Sequence, residues 1–362
     1  MFFLDRYQRI FSSLPSFGLD LSDKSVKFAY LEGSHPYEVA DFGEVAIPDG
    51  LVESSEVTSK EKLSSFLKDV FSKRRMPKYV VASLPEERGF VRTIQLPVMP
   101  EEEIRSAVQW EIEANIPIPL NESLFDIEVL PRSDKIDHLD INVAAVPKSL
   151  AESYAEVFSQ VGFVPIAFEL ESQAVARSVV PSYLSSKGAY VLCDLGATRT
   201  SITIFASGAI RFTASRAISS DGLTEELSKA FRIDFKLAEQ KKREVGLGGQ
   251  GEGRSIFEIL LPTLKILAKE IGDAVEFYHS HASHVHAESK ITQVYLCGGG
   301  ANLTGLPHFL SRELGVQVER ANPWVNILTW PPREVPPLEY HASLGYVTAL
   351  GLALRGASFS IA

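Results

Sequence analysis

The sequence predicts an α/β fold in which one layout is used twice, with a small α+β unit inserted in the first half. Three observations predict it. Short β-branched and aromatic runs alternate with apolar stretches of helical period, as in sheets joined by crossover helices. A strand ending in an aspartate is followed by a tight polar turn and a second strand twice, at Asp20 and again at Asp194. Residues from about 84 to 163 hold strands and helices of their own that interrupt this layout.

The chain has 362 residues, which is long for a single core. Apolar residues make up 45% and charged ones 23%, an ordinary globular balance. Thirty-six Lys and Arg against 46 Asp and Glu leave a net charge of −10, which argues against nucleic acid as the main partner. Two cysteines, Cys193 and Cys297, exclude a disulfide framework and a structural zinc site, and fit a reducing compartment. No apolar run approaches the ~20 residues of a membrane span and no signal peptide is visible, so a cytoplasmic location is expected.

Phe3, Tyr7, Ile10, Phe11 and Leu14 in the first stretch sit at helical spacing, which suits a membrane or partner contact, or a helix packed on its own domain. Phe17 to Leu31 reads as two strands joined at Ser22-Asp23-Lys24, with a third over Val39–Ile47. Leu63, Phe66, Leu67, Val70 and Phe71 give the next stretch a helical period, and strands follow at Tyr79–Ser83 and Val91–Leu96. Glu101-Glu102-Glu103 opens a helix, because acidic residues suit the positive end of its dipole, and Ile116-Pro117-Ile118-Pro119 stops it. A strand pair at Phe125–Leu130 and Asp140–Val146 and a helix from Leu150 to Val161, closed by Gly162, complete the inserted unit. A helix then spans 170–180. The second half starts with a buried strand at Tyr190–Cys193 and a hairpin across Ser207-Gly208. Helices at Thr224–Phe231 and Lys236–Val245, a Gly-rich loop over Gly246–Gly253 and one long helix or two over Leu260–His286 come next. A strand at Gln293–Cys297, a helix at Leu306–Leu314, a Pro-marked loop and an apolar helical tail at Leu344–Leu354 end the chain.

Holding a nucleotide needs turns whose N–H groups face phosphate, carboxylates for the waters of Mg²⁺, and glycines where backbone meets nucleoside. Three segments meet those demands in order: Gly18-Leu19-Asp20, Asp194-Leu195-Gly196-Ala197-Thr198, and Gly298-Gly299-Gly300-Ala301-Asn302. Each is weak alone; their joint order carries the signal.

In that order they resemble the phosphate and adenosine segments of the actin-like (ribonuclease H-like) ATPase superfamily. Glu171-Ser172-Gln173-Ala174 resembles its first connecting helix, Leu344 to Gly356 its second, and Ala238-Glu239-Gln240-Lys241-Lys242 its AExxK helix. Met99-Pro100-Glu101 through Trp110-Glu111 to Ile116-Pro117-Ile118-Pro119 is similar to a segment of the PilM family of type IV pilus assembly proteins, in the FtsA-like branch. The resemblance implies a duplicated, two-lobed actin-like α/β fold. Lobe one (subdomain 1A) would be 1–83 plus 164–188, and 84–163 an inserted α+β subdomain of the FtsA 1C type. Lobe two would be 189–362, with 2B near 217–290 and the C-terminal helix returning to lobe one.

It also implies ATP and Mg²⁺ clamped in a central cleft. Asp20 and Asp194 would organise the metal's waters, Glu171 and Asp194 would serve any hydrolysis, and Ser22, Asp23, Lys24, Lys27, Gly196, Ala197 and Thr198 would meet the phosphates. Gly298, Gly299, Gly300, Asn302, Glu239 and Lys242 would hold the nucleoside. The implied partner is the N-terminal peptide of a PilN-like inner-membrane protein, bound on the inserted subdomain, with lobe closure coupled to that contact and membrane association indirect. One departure matters. The family's glycine in the first phosphate turn is Ser22 here, and Asp23 brings a carboxylate toward the phosphates, so a weak ATPase at most is expected.

Three rivals stand beside this reading: a carbohydrate kinase, an FtsA-like division scaffold and a nucleotide-independent scaffold. The kinase lacks a recognisable Asp base, and the chain's last residues lack the basic amphipathic helix usual in FtsA. Other residues read more plainly. His279, His281, His284 and His286 scatter around a helix end rather than facing one metal. Cys193 and Cys297 read as neighbouring buried strand positions, Trp324 and Trp330 as core, and Lys241-Lys242-Arg243 as a basic run too short for nucleic acid.

Overall fold

The structure is a computed structural model that describes residues 14–115, 119–130, 137–185, 188–248, 250–281, 290–329 and 335–358. The expected N-terminal helix, the Ile116–Ile118 stretch, His284, His286 and Trp330 lie outside these, as does the side chain of His281. The chain's internal contacts divide it into two units. The first runs to Pro181 and takes in Pro323–Pro337 and the chain from Tyr346 onward; the second is Ser182–Asn322 with Leu338–Gly345.

The first unit opens with an antiparallel meander, β1 (Ser16–Leu21), β2 (Ser25–Glu32) and β3 (Glu38–Ala46). A small hairpin, β4 (Val52–Glu53) and β5 (Glu56–Val57), precedes helix α1 (Lys60–Phe71), whose Ser59 side chain accepts from the Lys62 N–H as an N-cap. β6 (Tyr79–Leu84) then pairs parallel with β1. The inserted stretch holds β7 (Phe90–Pro97), α2 (Glu101–Asn115), β8 (Ser123–Val129), β9 (His138–Pro147) and α3 (Lys148–Val161). Its three strands form an antiparallel sheet in the order β7-β9-β8. Ile104 and Val108, one helical turn apart, pack with Leu96, Ile141, Val143 and Ala145 as a separate small core. β10 (Val164–Leu170) and α4 (Glu171–Val179) return to the main sheet, ordered β10-β6-β1-β2-β3.

The second unit repeats that plan. β11 (Ala189–Leu195), β12 (Thr200–Ala206) and β13 (Ala209–Arg216) form the meander, turned at Ser207-Gly208 with both residues left-handed (φ 52° and 82°), as a tight hairpin requires. Helices α5 (Ser220–Phe231), α6 (Phe235–Val245) and α7 (Gly251–His281) precede β14 (Ile291–Cys297), α8 (Leu306–Leu314) and β15 (Gln317–Arg320); the four-residue helix α9 (Tyr340–Ser343) closes the unit. The sheet order is β13-β12-β11-β14-β15. Each sheet therefore has a central strand with two antiparallel neighbours on one side and two parallel ones on the other. The last helix, α10 (Val347–Ser358), belongs to the first unit and lies on β1 and α4.

Several boundaries differ from the sequence-based expectation. β10 reads poorly because Pro165 and a register shift break its period. α5 begins at Ser220 rather than Thr224, since the Ser219 hydroxyl caps the Gly222 N–H. The Gly-rich loop ends early, because Gly251 already opens α7, a single helix that carries Pro262 inside it. Pro323–Pro337, expected in the second lobe, lies in the first unit, where the Asn326 side-chain amide donates to the Arg177 and Val180 carbonyls at 2.8 and 2.7 Å.

α10 is apolar on every side and almost wholly buried. Its approach needs bare backbone. A Cβ on Gly351 would overlap the Ala174 carbonyl of α4, and one on Gly18 would overlap the Ala349 carbonyl of α10. The Arg177 guanidinium forks onto Glu169 at 2.6 and 2.8 Å and also donates to the Gly351 carbonyl at 3.1 Å. Gly351→Ala is expected to cost about 3 kcal/mol, since backbone rather than a flexible side chain must move. Thermal unfolding should show the midpoint falling by something on the order of 10 °C.

Candidate functional site

The expected site residues fall on both units, and each half stands on its own geometry. In the first unit the β1–β2 turn is closed by Ser22. Its N–H donates to the Ser25 carbonyl at 3.0 Å, and its hydroxyl accepts from the Ser25 N–H at 3.2 Å. No left-handed residue is needed there, so serine replaces the family's glycine without strain. Asp23, expected at the phosphates, has its Oδ1 accept from the Ser55 N–H at 2.8 Å. Ser54 and Ser55 are both left-handed (φ 49° and 65°), and the Ser55 hydroxyl donates to Glu87. Lys24 is largely exposed, 3.9 Å from Asp49, and Lys27 bonds Ser25 Oγ at 3.1 Å and pairs with Glu44 at 3.3 Å.

Asp20 ends β1 beside β6, where the Ser83 hydroxyl donates to its Oδ1 at 2.8 Å. Burial holds its carboxyl above the ordinary carboxylate range, against the opposing pull of Lys27 and the Ser83 hydrogen bond. Glu171 opens α4, whose N-terminus lacks a side-chain cap of its own. Glu86 supplies one from a short 3₁₀ helix, Glu86–Arg88, by accepting from the Ser172 N–H at 3.0 Å.

Tyr154 of α3 lies completely buried beside these groups. Burial pushes its phenol up, and the negative charges of Glu171, Asp23, Asp20 and Glu87 push it further. Among the described residues its hydroxyl has no hydrogen-bond partner. The sequence pointed to neither Tyr154 nor Ser83, Ser55 and Glu86–Glu87. Tyr154 sits at a helical core position, and only the fold brings the others to the turn.

In the second unit Asp194 lies on β11 opposite Cys297 of β14, and its Oδ1 occupies the space beside Gly298. Gly298 is left-handed (φ 78°), and any Cβ there would overlap that oxygen. A Cβ on Gly300 would overlap the Leu195 side chain, whereas Gly299 faces open space. The turn after Asp194 is fixed at its base. Gly196 N–H donates to the Arg199 carbonyl at 2.8 Å, and the Gly196 and Ala197 carbonyls accept from the Ser220 and Asp221 N–H groups. Ala197 and Thr198 are exposed at its tip. Asn302 is held to His341 by two hydrogen bonds, at 2.8 and 2.9 Å.

Glu239 and Lys242 do share a face of α6, as their spacing implies. Lys242, expected at the nucleoside, is spoken for internally. Its buried ammonium donates to the Ser220 carbonyl and hydroxyl at 2.7 and 2.9 Å and to Thr224 Oγ1 at 2.6 Å, and it pairs with Glu239 at 2.7 Å. Burial lowers its pKa despite Glu239. Burial also raises that of Glu239, but the hydrogen bonds from Lys242 and Thr224 outweigh this and leave it low. Lys242 thus fastens α6 to α5, and Glu239 is the member of the pair that keeps partial exposure.

Cys193 and Cys297 are buried neighbours, with the Cys297 thiol 3.7 Å from the Cys193 carbonyl. Burial pushes Cys193 to about 12 and Cys297 well up, so both are packing groups rather than nucleophiles.

Each unit carries one feature of its own that suits a ligand. In the second, glycine backbone at 298 and 300 lets Asp194 and Leu195 pack where a side chain would otherwise stand; in the first, the Tyr154 hydroxyl is buried beside Asp20 and Glu171 with no hydrogen-bond partner among the described residues.

The repeated sheet plan and glycine-lined aspartate turn define an actin-like α/β protein. Solved structures agree. A chain of "PilM-PilN type IV pilus biogenesis complex" aligns with a TM-score of 0.79 at 26% identity, covering 95% of this chain and 98% of that one. The ethanolamine utilization protein EutJ from Carboxydothermus hydrogenoformans aligns at 0.55 and 17% identity, covering 93% and 88%. MreB5 of Spiroplasma citri bound to ADP aligns at 0.52 and 15% identity, covering 87% and 94%. The family model for type IV pilus assembly protein PilM matches residues 18–357, and the chain belongs to that family.

The raised pKa of Asp20 has a signed consequence. The folded form holds this proton more tightly than the unfolded form, so its contribution to stability is full below the unfolded pKa and lost as pH rises through the folded one. Asp20→Asn should therefore melt above the wild type at neutral pH without nucleotide, with the gap closing toward about pH 4. Thermal melts across that range, with an unchanged gap as the contrary outcome, check it.

Proposed function

We propose that this protein is an ATP-binding assembly protein of a type IV pilus or a related secretion system. It works on the cytoplasmic side of the inner membrane and is held there by a PilN-like partner on the inserted unit. The observation that carries this reading is the alignment, over nearly the full length of both chains, with a chain of a PilM–PilN complex. Among the described residues no helix is long and apolar enough to cross a membrane.

For the nucleotide, Gly196, Ala197 and Thr198 would present backbone N–H groups to phosphate, and Gly298–Gly300 with Asn302 and Glu239 would flank the nucleoside. Asp194 and Asp20 would hold waters of Mg²⁺, and Glu171 and the Tyr154 hydroxyl would complete the polar surroundings of Asp20. Bound Mg²⁺ supplies charge neutralisation for the phosphates. Asp20 would bind as carboxylate, so occupation would pull its raised pKa back down. Lys242 keeps α6 in place against α5. Asp23 is committed to the Ser55 loop, which favours binding as a conformational signal over rapid turnover.

Calorimetric titration with ATP–Mg²⁺ and with ADP tests the site. Wild type should bind, and Asp194→Ala should bind at least about tenfold more weakly. Equal heats for the two proteins would remove Asp194 from the site. No heat for the wild type would leave the nucleotide-independent scaffold standing.

A further inference from the structure

His341 of α9 stands exposed beside the glycine turn, and its bonds to Asn302 decide which ring nitrogen carries a hydrogen. The Asn302 side-chain amide meets His341 twice. One end lies 2.8 Å from the His341 carbonyl, which only accepts, so that end is the Nδ2–H group. The other end, Oδ1, also only accepts, and it lies 2.9 Å from the ring's Nδ1, so Nδ1 carries a hydrogen. In the neutral imidazole this leaves Nε2 as an acceptor with a free lone pair. Among the described residues nothing donates to it. The ring is steadied from the side as well. Tyr340 meets it edge-on, with centroids 5.6 Å apart, and the Tyr340 hydroxyl donates to the Ala321 carbonyl at 2.9 Å.

The turn beside this ring is open to approach. Gly299 is exposed, and a Cβ there would meet nothing within 4 Å. The flanks of the turn are fixed. The Gly298 N–H donates to the Leu344 carbonyl at 2.8 Å, just past α9, and the Arg320 guanidinium donates to the Ala301 carbonyl at 2.8 Å. A little further on, the Leu247 N–H donates to the Thr304 carbonyl at 2.8 Å, which ties the end of α6, the helix of Glu239, to the same stretch. His341 and the helix of Glu239 therefore border one glycine turn, both within the second unit.

We propose that His341 Nε2 reads the base of the bound nucleotide, selecting a purine with a 6-amino group over one with a 6-carbonyl. This rests on the nucleotide reading above and adds the residue that sets base preference. A 6-amino group donates and meets the lone pair of Nε2, whereas a 6-carbonyl only accepts and sets lone pair against lone pair. Selection comes from the repulsion of the wrong base as well as from the bond to the right one. Asn302 is a positioning residue in this arrangement: it holds the hydrogen on Nδ1 and so keeps Nε2 bare.

The test titrates the full chain calorimetrically with the Mg²⁺ complexes of ATP and ITP, which differ in the group at position 6 of the purine. Wild type should bind ATP about tenfold or more tighter than ITP. His341→Ala should bring the two within about twofold, chiefly by weakening ATP. His341→Lys, whose ammonium only donates, should reverse the order. A readout without nucleotide is nitrogen NMR of the histidine rings at about pH 8, where an ordinary histidine is neutral. His341 should show the hydrogen on Nδ1, and Asn302→Ala should release it to the mixture of a free ring. The His341 side chain is exposed, so its variants should keep the wild-type melting temperature.

Equal affinity of wild type for ATP and ITP, an unchanged ratio in the two His341 variants, or a hydrogen on Nε2 in the free protein overturns the base readout while the nucleotide reading survives. No binding of either nucleotide to wild type removes both.

Discussion

The first unit depends on how closely its last helix can lie on its first strand. Gly18 on β1 and Gly351 on α10 leave no room for a side chain, and Gly356 meets Ser16 in the same way. This contact fixes three elements at once, because α10 touches the strand that ends at Asp20 and the helix that begins at Glu171. The Glu169–Arg177 fork, with Arg355 at 3.3 Å from the same carboxylate, supplies the polar part of that junction. A fork of this kind is directional where apolar packing is not, so it sets the register of two helices whose small residues would otherwise slide.

The two halves of the candidate site are built on different principles. The second unit uses bare backbone: a left-handed glycine against a carboxylate, and a turn whose base is tied so that its tip stays exposed. The first unit uses carboxylates in a low-polarity setting, which makes Asp20 costly to ionise and leaves a phenol unsatisfied. Both are the usual marks of a surface shaped for something other than its own stability. The Asp23–Ser55–Glu87 chain and the Glu86 cap on α4 add a hydrogen-bonded path. The turn after Asp20, by way of Ser55, and the start of α4 converge on Glu87 and Glu86 of one 3₁₀ helix at the entry to the inserted unit.

Much of this was legible because the information is local. The hairpins announce themselves through alternation and turn residues, and the duplicated order of Asp-ended strands needs no contact map. The family resemblance carried the rest of the fold, and the matched family agrees with it. What was not legible is where non-local packing decides. β10 has an interrupted period, and its partner β6 lies some eighty residues away. The AExxK spacing places Lys242 on the correct face of its helix but says nothing of α5, which covers it and takes up its ammonium. Tyr154 reads as ordinary core, since its period matches Leu150 and Phe158, both buried. Asp23 looks free for a ligand until Ser55, which owes its orientation to two left-handed residues, is placed beside it.

The discontinuity of the first unit bears on how the chain is made. A ribosome delivers β1, β6 and α4 early, yet the helix that covers them, Val347–Ser358, comes long after them in the chain. Nearly all of the second unit emerges in between. The usual vectorial order, in which the N-terminal part matures first, is therefore inverted. The early sheet waits with an apolar face unsheltered while the later one closes, and it is completed only once α10 has emerged.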